Sequence, residues 1–306
     1  MGTPELAAHI LESLVSSADA SRVVAVVTRP DQPRGRGQKP QLSEVAVVAS
    51  QHRIPLLRPS KIRTPEFLAE LKSFDPDLLV VAAYGRILPN EVLAAPRIMP
   101  INVHASLLPR HRGAAPIEGA ILAGDRETGV TIMRIGEKMD AGAMILARAI
   151  PIAADDTTGS LKRKLAELGA VALREALDQL RRGELVETPQ DESLATYTKL
   201  VTKADSIIDW NAPAIQIERM TRAYHPWPVA RTTSGTGELL IYRARVVSAE
   251  LDGKPGSLSR VSPNPVIRCG DGALELLEVQ EPGRKRMPAA DWARGRRIAI
   301  GHQLGA

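Results

Sequence analysis

The sequence predicts an α/β protein in two parts, a doubly wound and mostly parallel sheet followed by a small β-barrel, and three features predict it. From Thr3 to Leu180, apolar stretches of strand length alternate with stretches of helical period, the pattern of a parallel sheet with crossover helices. The run Leu78–Ala83 is nearly all apolar, as expected of a strand covered on both faces. After Asp205 the character changes, because glycine and proline recur between short β-like runs, which suits a small barrel or sandwich. With 306 residues, 44% of them hydrophobic, the chain can fill two separate cores.

The elements follow in order. Gly2 or Thr3 can cap a first helix with Pro4 in its first turn and Leu6, Ile10, Leu11 and Leu14 on one face. Arg22–Thr28 is β-branched and short, a buried strand. Residues 29–40 are rich in glycine, proline and basic side chains, a composition that opposes a packed element. They are either a solvated turn or a loop whose Arg34, Arg36 and Lys39 contact phosphates. Helices are then expected over Ser43–His52, Thr64–Phe74, Pro89–Ala95 and Ala115–Ala123. Strands are expected at Pro55–Leu57, Asp77–Tyr84, Ile101–His104, Val130–Ile135 and Met144–Ile152. Thr157 or Thr158 caps a long helix to Leu180 whose leucines read as core. The expected division is a first domain over residues 1–182, a polar linker over 183–204 and a second domain over 205–306. In that second domain a helix over Pro213–Tyr224 precedes strands at Leu239–Ala249, Pro265–Cys269 and Ala273–Gln280. Its tail is basic, through Arg284–Arg286, Arg294, Arg296 and Arg297.

Composition narrows the function. The single Cys269 rules out an internal disulfide and has no cysteine or histidine partners at zinc-site spacing, which suits a reducing cytoplasm. No apolar run is long enough to span a bilayer as a helix, and the first residues carry neither a basic leader nor a signal-peptide core. A net charge of +5 has the sign that suits a phosphate-rich partner. There is no glycine fingerprint after a strand, no phosphate-binding loop of the Walker type and no metal-ligand spacing among the six histidines. A nicotinamide dehydrogenase on a similar fold is thereby disfavoured.

The stretch Ile101–Pro116 carries the chemistry. In a strand, the period of two puts Asn102 and His104 on one face and Ile101 and Val103 on the other. Pro109 ends the strand, and the loop that follows lies where open α/β sheets bind ligands. An imidazole can accept or donate a proton, and a side-chain amide can donate to an oxygen that gains charge. A turn-rich segment after the run Gly129–Ile135 carries Asp140, a carboxylate that could orient the imidazole; spacing alone does not bring the two together.

Asn102-Val103-His104, Ser106-Leu107-Leu108-Pro109, Arg112-Gly113, and Asp140 followed by Gly142 resemble the signature of the 10-formyltetrahydrofolate-dependent formyltransferases. The remainder carries the resemblance over essentially the whole length: Gly2-Thr3-Pro4-Glu5, Pro30-Asp31 with Arg36-Gly37, Ala83-Tyr84-Gly85, Asp209-Trp210 and the run Ala223–Pro228. It points to the branch of that family that formylates initiator methionyl-tRNA. The resemblance implies a Rossmann-like formyltransferase domain, an OB-like C-terminal barrel that helps hold tRNA, and a monomeric enzyme with 10-formyltetrahydrofolate as co-substrate and no metal. It implies Asn102, His104 and Asp140 as the catalytic trio. Ser106, Leu107, Leu108 and Pro109, with Tyr84 and Gly85, would frame the folate pocket, and Arg34, Arg36 and Lys39 would contact tRNA. Family members also carry an apolar strand just before Gly-Thr-Pro, where this sequence has Met1. A central strand encoded upstream, with Met1 an internal methionine, is therefore expected. Two alternatives stay open: a formyltransferase for another amine, such as an amino-sugar nucleotide, and a tRNA-binding protein catalytically impaired by loss of that strand.

Overall fold

A computed structural model describes residues 1–16, 22–34, 39–235, 237–248 and 253–305. They form two compact units, the first from residues 1–116, 127–151 and 162–199 and the second from 117–126, 152–161 and 200–306.

The first unit begins with helix α1 (Glu5–Val15), strand β1 (Val26–Val27) and a hairpin of β2 (Gln32–Arg34) with β3 (Lys39–Gln41). This hairpin corrects the reading of 29–40 as a stretch without an element. Pro33 faces Pro40 between the pairs Gln32–Gln41 and Arg34–Lys39, and alternate positions of an antiparallel ladder exchange no N–H donors, so prolines are tolerated there. Next come α2 (Glu44–Gln51), capped by the Ser43 hydroxyl, β4 (Leu56–Leu57), and α3 (Pro65–Ser73), capped by the Thr64 hydroxyl. The chain continues through β5 (Leu78–Val81), α4 (Asn90–Leu93), β6 (Met99–His104) and β7 (Arg112–Gly113). After α5 (Pro116–Ala123), which belongs to the second unit from Ile117 on, β8 (Glu127–Arg134) and β9 (Met144–Pro151) form an antiparallel pair, and α6 (Thr158–Arg182) follows, its first turn in the second unit.

The main sheet has the order β5-β6-β8-β9, parallel between β5 and β6 and antiparallel beyond. Strand β1 pairs with β4 in parallel and with no other named strand, which shortens the expected strand Arg22–Thr28 to two residues. Between β1 and β5 lies a cavity of about 640 Å³, lined by Ile10, Leu11, Val24, Val26, Leu79 and Val80 among others. Among the described residues, Met1 and Gly2 bridge this gap. The Met1 nitrogen donates to the Val80 carbonyl (2.5 Å), the Gly2 N–H donates to the Val27 carbonyl (3.0 Å), and Gly2 pairs with Ala82.

Residues 184–199, expected as a polar connector, form a strap that runs back over the first unit. Thr188 and Met144 exchange both backbone hydrogen bonds, and β10 (Tyr197–Thr198) pairs in parallel with β7.

The second unit holds helix α7 (Ala214–Ala223), strands β11 (Ala230–Ser234), β12 (Gly237–Val247), β13 (Leu258–Arg260), β14 (Val266–Arg268), β15 (Ala273–Gln280) and β16 (Met287–Pro288), and helix α8 (Ala289–Gly295). Its antiparallel sheet has the order β11-β12-β15-β14-β13, with β16 on β15. Leu304 bridges to Ser234 and Gln303 to Ser257, so the last residues join the two ends of the sheet. Trp210, Ile217, Leu239, Ile241, Leu274 and Trp292 fill the core, and the Trp210 indole N–H donates to Thr232 Oγ1 (2.9 Å). Much of the basic tail is paired within the unit. Arg284 and Arg296 both meet Glu281, Arg294 meets Asp291, and the Arg286 guanidinium lies 3.7 Å from the centroid of the Tyr242 ring. Among the described residues no helix is long and apolar enough to cross a membrane.

Candidate active site

Strand β6 is buried in sequence order as its apolar pattern requires. Ile101 and Val103 are 3% and 4% exposed on one face, and Asn102 and His104 share the other. Hydrogen bonds on both sides fix its register, with Val81 and Met133 opposite Asn102 and Thr131 opposite His104. The two polar side chains therefore stand on a braced strand close to its carboxyl end.

Asp140 arrives from the segment after β8, and it meets both. Its Oδ1 accepts from Asn102 Nδ2 (3.4 Å), and its Oδ2 lies 3.7 Å from His104 Nδ1 and accepts the Gly113 N–H (2.9 Å). The backbone of Asp140 is left-handed, with φ +49°, a conformation that costs a non-glycine residue on the order of 1 kcal/mol or more and so has to be held by its surroundings. Gly113 answers a steric need. At φ +107° and against the strap, a Cβ there would sit 2.2 Å from the Thr198 carbonyl oxygen.

The other nitrogen of His104 settles its tautomer. Nε2 lies 3.0 Å from the His111 carbonyl oxygen, and a carbonyl only accepts, so Nε2 carries the proton. In the neutral ring, Nδ1 is then the atom with a free lone pair, and it faces Asp140. His111 has a left-handed φ of +59°, and its N–H donates to Thr196 Oγ1 (2.8 Å), so the strap also holds the carbonyl that orients the imidazole.

The loop 106–109 is locked to β8. Thr131 Oγ1 donates to the Ser106 carbonyl (2.8 Å) and accepts the Leu108 N–H (3.1 Å), while Ser106 Oγ donates to the Arg110 carbonyl (2.7 Å). Leu108 is buried and Leu107 and Pro109 are half-buried. The Tyr84 ring lies in the core with Val27, Leu57 and Phe67, its hydroxyl is buried without a partner among the described residues, and burial pushes its pKa up. Arg34 and Lys39 lie opposite one another in the β2–β3 hairpin. Arg36 falls outside the described residues.

Sequence reading missed the strap. Arg112, 1% exposed, gives Nε and Nη2 to Gln190 Oε1, Nη1 and Nη2 to the two carboxylate oxygens of Glu192, and Nη1 to Tyr197 Oη, all between 2.8 and 3.0 Å. These bonds raise the Arg112 pKa and lower that of Glu192. Glu187 makes a second anchor by gripping Arg134 through both oxygens, which lowers its own pKa. The available signal was Arg112 itself, next to a glycine in the motif. Its partners lie 78 to 85 residues away, in a stretch with no period to mark it.

Comparison with known proteins agrees over the whole length. The family model described as formyl transferase matches residues 1–177, and that of the formyl transferase C-terminal domain matches residues 200–297. The chain is 46% identical over 306 residues to the methionyl-tRNA formyltransferase of Roseiflexus sp., covering 100% of this chain and 94% of that one. It is 46% identical over 304 residues to the protein of that name from Methylococcus capsulatus, covering 99% and 98%. Among solved structures, an N-formyltransferase from Helicobacter canadensis in complex with folinic acid and dTDP-3-aminofucose aligns with a TM-score of 0.67 at 18% identity, over 92% of this chain and 97% of that one. HypX from Aquifex aeolicus in complex with tetrahydrofolic acid aligns with a TM-score of 0.58 at 23% identity, over 82% of this chain and 44% of that one. These two likenesses show the fold, an α/β formyltransferase domain followed by an antiparallel one. The two family models and the full-length relatives place the chain itself: it belongs to the formyl transferase family.

Proposed function

We propose that this chain transfers the formyl group of 10-formyltetrahydrofolate to the α-amine of initiator methionyl-tRNA, in the cytoplasm and as a monomer. The observation that carries the reading is the convergence of Asn102, His104 and Gly113 on the Asp140 carboxylate, in a chain 42–47% identical over its full length to methionyl-tRNA formyltransferases. The folate is consumed as a substrate and supplies an electrophilic formyl carbon. The neutral amine attacks that carbon, the new C–N bond forms, and the carbonyl oxygen takes up negative charge. The Asn102 amide is suited to donate to that oxygen. His104 Nδ1 is suited to take the proton of the attacking amine, with the Asp140 carboxylate 3.7 Å from that nitrogen. The same proton then passes to the folate nitrogen as its bond to the formyl carbon breaks. The locked backbone at 106–109 and the main chain of Tyr84 and Gly85 would frame the folate, while Arg34, Arg36 and Lys39 would meet tRNA phosphates.

The test is transfer of labelled formyl from 10-formyltetrahydrofolate to charged initiator methionyl-tRNA, with an amino-sugar nucleotide as the competing acceptor. Label on the tRNA supports the reading; label on the sugar alone overturns it. Arg36→Ala is expected to weaken tRNA use in a salt-sensitive way and leave the folate KM unchanged, and a rise in folate KM alone would contradict that placement.

A further inference from the structure

Resting on the reading of Asp140 as a catalytic group, we propose that Gln190 is a positioning residue for the reaction, whose amide holds the turn that aims the Asp140 carboxylate. Its Nε2 donates to the carbonyls of both Asp140 and Gly142, each at 2.8 Å. Its Oε1 accepts from Nε and Nη2 of Arg112 at 3.0 and 2.8 Å. Both N–H donors and both lone pairs of the amide are thus engaged. The orientation of the group is fixed by its neighbours, since a flip would set its NH₂ against a guanidinium and its oxygen against two carbonyls.

The clamp is itself immobile. Arg112 is 1% exposed, and all five of its N–H donors are taken by Gln190, Glu192 and Tyr197. Gln190 grips the backbone where it is hardest to hold, on either side of Ala141, at the left-handed Asp140 and at Gly142, where a Cβ would come 1.9 Å from the Arg134 carbonyl oxygen. With the backbone fixed there, the Asp140 carboxylate reaches the Gly113 N–H, Asn102 and His104 together. Without the two N–H donors, the turn is free to relax toward a right-handed backbone, and the carboxylate swings off the imidazole.

The isosteric substitution Gln190→Glu separates positioning from simple attachment of the strap. A carboxylate still accepts both Arg112 bonds, so the strap stays anchored, yet it presents an oxygen to each carbonyl where an N–H stood. We expect kcat to fall roughly tenfold to a hundredfold, as for a small misplacement of a reacting group, with the KM values for folate and tRNA within about twofold. In an Asp140→Ala background, Gln190→Glu should have no further effect on residual activity, because the residue acts through Asp140. Wild-type kcat in Gln190→Glu, beside a crippled Asp140→Ala, overturns the inference and leaves the function standing. A second readout is independent of substrate: hydrogen exchange at the Gly113 amide, which donates to Asp140. Exchange as fast in Gln190→Glu as in Asp140→Ala supports the positioning role, and wild-type protection overturns it even if the acceptor proves to be another amine.

Discussion

Two places in the first unit sit on the same set of strands and are built in opposite ways. At the carboxyl end of β6, Asp140 is tied to Asn102, His104, Gly113 and Gln190, and the ties come from the strand, the 106–113 loop and the strap. Between β1 and β5 there is an open, mostly apolar gap of about 640 Å³, crossed among the described residues by Met1 and Gly2. The gap does not loosen the site, because β6 is paired on both edges, with β5 and with β8, and the polar network closes locally. Catalytic geometry and sheet completeness are therefore separable here: changes at the site should act on rate, and changes at the gap on stability.

The sharpest test of that separation is His104→Ala. Loss of the proposed general base is expected to lower kcat by roughly 10²- to 10⁴-fold while thermal unfolding stays close to wild type; a large drop in Tm would show that the imidazole is mainly structural. Gly113→Ala should break the separation, since the added Cβ meets the Thr198 carbonyl at a φ that alanine resists. Both kcat and Tm are expected to fall, with about 2 kcal/mol or more lost in denaturant unfolding. An alanine variant that matches wild type in both would show that the strap yields without consequence. In the gap, the direction reverses. A segment of four or five β-branched residues placed ahead of Met1, whose nitrogen already lies on the Val80 carbonyl, should pair with the free edges of β1 and β5. It is expected to raise stability by roughly 2–5 kcal/mol through apolar burial, with kcat within about twofold. No change in Tm would mean that the segment does not enter the gap.

The smallest expected effect is on pH. Glu187 and Glu192 hold the strap to Arg134 and Arg112, and both carboxyls lie below their ordinary value of 4.5. A depressed carboxyl pKa means that the strap-released state binds the proton more readily, so the hold is complete above about 4.5 and is lost as pH falls through the depressed values. Activity should decline reversibly on that acid side before the second unit unfolds, and Glu192→Gln should shift the decline. An acid limb identical in Glu192→Gln would remove Glu192 from the account.

How much of this was legible in advance differs by region. The alternation of Ile101, Asn102, Val103 and His104 announced that Asn102 and His104 would share a face, and the caps Ser43 and Thr64 announced their helices, because both signals are local. That the Tyr84 ring packs into the core with Val27, Leu57 and Phe67 was not legible, because the motif marks the residue and not the direction of its side chain. The β2–β3 hairpin was missed because its prolines and basic residues advertise a loop, although a two-stranded ladder needs no core.

Sequence alone determined the α/β class, the order of most elements, the family and the three residue types at the site, since these rest on periodicity and on short motifs that survive without coordinates. Tertiary structure alone decided that Asp140 meets His104, that the His111 carbonyl puts the proton on Nε2, and that the polar stretch 184–199 is a brace and not a tether. The reason is physical. A hydrogen bond between residues 78 apart, such as Arg112 to Gln190, leaves no periodic trace, and its partners are named only when the chain has closed on itself.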